Sequence, residues 1–150
     1  MIRPATVEDA YVIEKLLAEL GYADTSSFIS TRINELLEHP DAMLFLYELE
    51  GLPVALLSLH IIPQIALFGS FLRISYFIVK ENARSLKIGS ELEAFATHIA
   101  QEKGCDRIEV HCHERRKDAH RFYEQHGYVE SSKYYVKQIT LKRSYDAKGV

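Results

Sequence analysis

The first forty residues carry apolar positions at helical spacing. A short apolar start over residues 1–3 predicts a first strand, and Ile13, Leu16, Leu17 and Leu20 then form one face of a helix that Gly21 stops. Ahead of them, Thr6-Val7-Glu8-Asp9 has the form of a capping box, with carboxylates where the helix dipole favours them. Ile29, Ile33, Leu36 and Leu37 mark a second helix that begins around residues 25–27 and ends at His39-Pro40.

The period then changes. Residues 43–49 and 54–62 are β-rich runs on either side of Glu50-Gly51-Leu52-Pro53, which predicts an antiparallel hairpin, and residues 71–79 read as another buried strand. A polar turn over residues 80–86 leads into an amphipathic helix with Ile88, Leu92, Phe95, Ala96 and Ile99 on its face and Gly104 after its end. Over residues 107–113, Ile108, Val110 and Cys112 alternate with Arg107, Glu109, His111 and His113. A short helix is predicted at 117–125, closed by Gly127, with Tyr128-Val129 and residues 134–141 completing the sheet. Antiparallel strands plus one strand–helix–strand crossover define a mixed α/β sheet.

Composition narrows the class. The chain has 150 residues, 47% apolar and 26% charged, with a formal charge of −3, which excludes disordered, collagenous and disulfide-scaffold proteins. No apolar run has the length of a membrane span, so no membrane role is expected, and the Met1-Ile2-Arg3-Pro4 start lacks a secretory pattern. With two cysteines, Cys105 and Cys112, these features point to the cytoplasm. The slight acidity argues against a nucleic-acid partner bound through bulk charge.

Chemistry concentrates in the turn at residues 77–90, where a strand runs into a helix start. Free N–H groups and the positive end of the helix dipole collect there. Arg84 and Lys87 add positive charge to that end, which suits an anion such as a pyrophosphate, and Gly89 permits close backbone approach. Solvated basic residues at an ordinary helix start are the other reading.

Arg84-Ser85-Leu86-Lys87-Ile88-Gly89 resembles the Arg/Gln-x-x-Gly-x-Gly/Ala signature of the GNAT superfamily, the acetyl-CoA-dependent N-acetyltransferases, with Lys87 in place of the first glycine. Asp118-Ala-His-Arg-Phe-Tyr-Glu-Gln-His-Gly-Tyr128 is similar to a second family segment, with Arg116 where many relatives carry asparagine. The resemblance implies the GNAT fold over a single domain at residues 1–143, leaving 144–150 as a tail. That fold is a mostly antiparallel sheet of about seven strands flanked by about four helices, with the fourth and fifth strands splayed.

The same resemblance implies site residues. The pantetheine arm of acetyl-CoA would lie in the splay along Phe77, Ile78 and Val79, opened by a bulge on the fourth strand. Its pyrophosphate would sit on the backbone of Leu86, Lys87, Ile88, Gly89 and Ser90 with charge from Arg84, and Arg116 and Ala119 would complete the coenzyme site. A backbone N–H near Phe77 or Ile78 would polarise the acetyl carbonyl, and Tyr123 matches the tyrosine that commonly protonates the departing thiolate. A primary amine, of a small molecule or else of a protein lysine or N-terminus, would attack directly in a ternary complex; a non-catalytic acyl-CoA-binding regulator is the alternative.

No base is assigned. The glutamate that relatives often carry on the fourth strand is replaced by Ser75, while Glu109 and His111 share a strand face from which either could move a proton through water. Tyr22, Asp24 and the loop around residues 131–133 are expected to border the acceptor pocket. His111-Cys112-His113 puts its cysteine on the opposite face from its histidines, so no metal is expected. Arg115-Arg116-Lys117 reads as a solvated cluster by default, next as a site for the adenosine phosphates, and last as an RNA contact. A homodimer is left open.

Overall fold

The computed structural model describes residues 1–131 and 133–141. The sequence reading of 142–150, which includes the tail, lies outside those residues, as does Ser132. The elements are β1 (Ile2–Pro4), α1 (Ala10–Leu20), α2 (Ile29–Glu38), β2 (Ala42–Leu49), β3 (Leu52–Ile62), β4 (Ser70–Val79), α3 (Ile88–Glu102), β5 (Cys105–Val110) and α4 (Lys117–Gln125), with 3-10 turns at Val7–Asp9 and Glu81–Leu86. Five strands form one sheet in the order β1-β2-β3-β4-β5, antiparallel except for the parallel β4–β5 pair.

Local chemistry explains most boundaries. The Thr6 N–H donates to the Asp9 carboxylate at 2.7 Å within the expected capping box, and Arg3 clamps the same carboxylate at 2.8 Å to fasten β1 to the first turn. That pairing holds the Asp9 carboxyl below its usual range. Gly21, at φ 109°, ends α1, and His39 is extended before Pro40 and ends α2. The β2–β3 turn is tighter than expected. Glu50 and Gly51 both have positive φ, as a two-residue hairpin requires, so Leu52 and Pro53 already belong to β3.

Two cores sandwich the sheet. Ala55, Leu57, Leu59, Leu72 and Ile74 pack on one face against Ile88, Leu92, Ala96 and Ile99 of α3, with Tyr123 of α4 at the margin. Leu44, Leu46, Leu56 and Ile78 pack on the other against Ile13 and Leu16 of α1 and Ile29 and Ile33 of α2.

The sheet ends at β5 among the described residues. Residues 128–129 and 134–141, expected as two further strands, take no strand pairing, and Val129, Tyr135, Val136, Ile139 and Leu141 stay exposed. β-Propensity is expressed only where a sheet edge and a buried face receive it, and these side chains meet neither.

Candidate active site

β4 changes its surroundings halfway along. Its ladder to β5 ends at Ile74↔Val110, and at the same point its register with β3 slips, from Leu59↔Ile74 to Ser58↔Tyr76. Ser75 is therefore the extra residue of a bulge. The bulge resets the alternation, because Ile74 and Phe77 lie three apart yet face the same core. Beyond it Phe77, Ile78 and Val79 pair only with β3, and the gap toward β5 is the splay that the family resemblance implied. The Lys80 N–H donates to the Val54 carbonyl at 2.8 Å, so the alternation of antiparallel pairing turns the backbone groups of Phe77 and Val79 into the gap. Arg84 Nε takes one of them, donating to the Val79 carbonyl at 3.0 Å.

A cavity of about 640 Å³ opens on this free edge. Two helix N-termini converge on it. Neither α3 nor α4 has a side-chain cap, and Lys87, Gly89, Ser90, Arg116, Lys117, Asp118 and Ala119 line the walls. Uncapped N-terminal N–H groups and aligned dipoles attract anions, and Arg84, Lys87, Arg115, Arg116 and Lys117 add cations against only Glu19 and Asp118. Lys87 is left-handed, at φ 62° and ψ 18°, a conformation that favours glycine, so the chain bends here although a lysine stands at the first glycine of the family signature. Gly89 has another use for its missing side chain: a Cβ there would come within 3.1 Å of Cε1 of Phe122. That glycine lets the α4 ring seat against the start of α3.

Among the expected coenzyme residues, Phe77, Ile78, Val79, Arg84, Lys87, Gly89, Ser90, Arg116 and Ala119 line the cavity, and so does Tyr123. Two do not. Leu86 is exposed outside the wall, and the Ile88 side chain is 1% exposed within the core, leaving only its backbone to face an anion. Tyr123 packs edge-on to Phe77 and Phe122, and burial pushes its phenol above the ordinary value of 10. His126 bonds the Ser90 hydroxyl at 3.0 Å and tethers the end of α4 to the start of α3.

Of the expected proton acceptors and acceptor-side residues, Glu109, His111, Tyr22 and Asp24 do not line the cavity. Glu109 is held by Arg73 at 3.1 Å and Arg107 at 2.7 Å, which keep its carboxyl below the ordinary range and leave it a poor base. His111 stacks on Tyr134 with centroids 4.3 Å apart. Tyr22 meets Tyr76 edge-on at 5.4 Å, beside the bulge, whereas Asp24 is exposed in the α1–α2 connection at φ 62°. Among the described residues no three His, Cys, Asp or Glu side chains form a metal-ligand group.

Sequence reasoning missed Glu19 and Leu20, which reach the cavity from the end of α1 by long-range packing and carry no local signal. It also passed over His60, whose Nδ1 lies 2.7 Å from the Ser75 hydroxyl.

A cleft that joins free strand-edge amides to a cationic anion site at two uncapped helix N-termini suits a long acyl carrier with a phosphate end. The Acetyltransferase (GNAT) family model matches residues 9–128, and the chain belongs to that family. It is 31% identical over 140 residues to an aminoalkylphosphonate N-acetyltransferase of Salmonella typhimurium, covering 92% of this chain and 90% of that one. The fold is similar to that of a Bacillus halodurans transcriptional regulator, with TM-score 0.86, 25% identity and coverage of 93% and 99% of the two chains. It is also similar to an Agrobacterium tumefaciens acetyltransferase described as putative, with TM-score 0.83, 21% identity and coverage of 92% and 99%. No helix among the described residues is long and apolar enough to cross a membrane.

Proposed function

We propose that this acetyltransferase moves the acetyl group of acetyl-CoA to the primary amine of a small anionic molecule, by direct attack in a ternary complex. The similarity to an aminoalkylphosphonate N-acetyltransferase over nine-tenths of both chains carries the choice of acceptor. Arg73 supports it. This cation sits one residue before the last β4–β5 pair, and its Nε is buried with no hydrogen-bond partner among the described residues. An acceptor phosphonate would satisfy that group.

The pyrophosphate lies on the α3 and α4 N-termini with Arg84 and Lys87, and Arg116 and Ala119 border the same ligand. The pantetheine amides pair with the backbone of Phe77 and with the Val79 N–H, since Arg84 already takes the Val79 carbonyl. Of the two N–H groups considered for the acetyl oxygen, Phe77 is the one the pairing turns toward the gap. The amine attacks the thioester carbon, the C–N bond forms, the C–S bond breaks, Tyr123 protonates the leaving thiolate, and the proton the nitrogen sheds on becoming an amide restores the phenol.

Acetyl-CoA at a hundredfold excess over its Kd should raise Tm by about 5–10 °C, since only the folded chain holds the site. Thiol release is then measured with aminomethylphosphonate, a lysine-containing peptide and a peptide with a free N-terminus. Release with the phosphonate above both peptides is expected; preference for either peptide overturns the small-molecule reading. The regulator description of the Bacillus halodurans protein favours a second reading, which a thermal shift without thiol release from any amine would establish.

A further inference from the structure

We propose that Ser75 and His60 form a proton relay, in which the Ser75 hydroxyl takes the proton of the acceptor ammonium and passes its own to His60 Nδ1. The proposal rests on acetyl transfer to an amine. It starts from a gap in the site: an amine is mostly protonated at neutral pH, yet only the neutral form attacks, and neither carboxylate nor imidazole near β5 is free to act. Glu109 is held by two arginines and His111 is stacked on Tyr134.

Geometry singles out the bulge. Ser75 is the first β4 residue without a β5 neighbour, so it stands at the apex of the splay, two residues before Phe77 of the cavity wall. The bulge that leaves it unmatched against β3 also sets it between His60, which is opposite Arg73, and Ser58, which is opposite Tyr76. His60 Nδ1 and Ser75 Oγ are 2.7 Å apart. Both residues are half-buried, so His60 is sheltered without being sealed from water. Tyr76 and Tyr22, in edge contact beside Ser75, offer ring faces to an ammonium group.

The charge balance works in one cycle. With its proton on Nε2, neutral His60 accepts the Ser75 hydroxyl hydrogen at Nδ1 while Ser75 Oγ accepts one hydrogen from the ammonium. The products are a neutral amine, an intact serine and an imidazolium, which returns its proton to solvent after transfer. Burial favours the neutral imidazole, and His39 at the end of α2 and the Arg73 cation on β4 push in the same direction. Arg73 is itself paired with Glu109 of β5, which damps its share. His60 is thus in its proton-accepting form at neutral pH.

His60 acts through Ser75, so it is a positioning residue and its test needs a pH profile. The probe reaction is thiol release from acetyl-CoA with whichever of aminomethylphosphonate or the two peptides the wild type acetylates. Wild-type kcat/KM should already be level at about pH 6.5, because burial lowers the His60 imidazole from its ordinary value and the enzyme accepts the abundant ammonium form. In His60→Asn and Ser75→Ala it should instead climb about tenfold per pH unit toward the amine pKa near ~10, leaving a deficit of about 10³-fold at pH 7 that closes at high pH. The double variant should be no worse than either single one, since both break one relay. Ser75→Thr keeps a hydroxyl and should restore the plateau, and acetyl-CoA should still raise Tm in every variant. A plateau unchanged in His60→Asn, a deficit equal at all pH values, or failure of Ser75→Thr to rescue overturns the relay. A wild type that releases no thiol with any of these amines overturns the acceptor reading first, and the relay with it.

Discussion

The two halves of β4 have nearly the same composition and opposite duties. From Ser70 to Ile74 the strand is bonded on both edges, and Leu72 and Ile74 are completely enclosed. From Ser75 onward it keeps only its β3 partner, and Phe77 and Val79 are half-buried with backbone groups turned into a cavity. One bulge separates them. Removing ladder hydrogen bonds from a buried strand leaves amides that need partners, and a ligand with amides of its own can supply them. The paired half should therefore govern stability and the free half catalysis.

The sharpest way to test that division is Tyr123→Phe, at the free half. The ring contacts with Phe77 and Phe122 remain and only the hydroxyl is lost. Burial keeps the phenol protonated well past neutral pH, so the wild-type group is available as an acid over the working range. If Tyr123 protonates the thiolate, kcat should fall about 10²–10⁴-fold while acetyl-CoA affinity stays within a few-fold. Unchanged turnover would make Tyr123 a packing residue; parallel losses of affinity and rate would make it a binding residue.

Leu72→Ala breaks the comparison from the other side. Leu72 has no exposed surface and lies between β3, β5 and α3, so truncation should cost about 2–5 kcal/mol in denaturant unfolding. Acetyl-CoA affinity of the folded protein should stay within a few-fold. A loss of affinity that tracks the loss of stability would show that the two halves are one mechanical unit.

Much of this division is legible in the chain, though unevenly. Helical periods place α1 to α4, and the helix expected from about Lys117 to Gln125 matches α4, with His126 and then Gly127 after it. The parity change between Ile74 and Phe77 was present in residues 71–79, but a continuously apolar strand conceals which face each position takes, so the bulge was not located from pattern alone. Residues 134–141 were read as a strand because alternation describes a chain's preference and not the partner that must meet it. Motif resemblance supplied the phosphate turn. It could not supply Glu19 or His60, which reach the site only after α1 and β3 have packed.

Lys87 offers the smallest and finest test, since it separates backbone shape from charge within the free half. It occupies a glycine position of the family signature in the left-handed conformation, at φ 62°, where a side chain costs about 1–2 kcal/mol. Lys87→Ala keeps that strain and removes the ammonium; Lys87→Gly relieves the strain and removes the same charge. Both should lose about 0.5–2 kcal/mol of acetyl-CoA binding if the lysine acts on the phosphates at the start of α3. Their stabilities should differ, with the glycine variant at or above the wild type and the alanine variant within about 0.5 kcal/mol of it, because glycine's greater unfolded-state freedom offsets part of the relief. Titration of acetyl-CoA at two salt concentrations checks the origin of the loss. A charge contact fades in high salt, so the gap between wild type and both variants should narrow there. A gap seen only in Lys87→Ala would assign the effect to the bend, and no gap in either would make Lys87 a solvated residue whose only imprint is its backbone conformation.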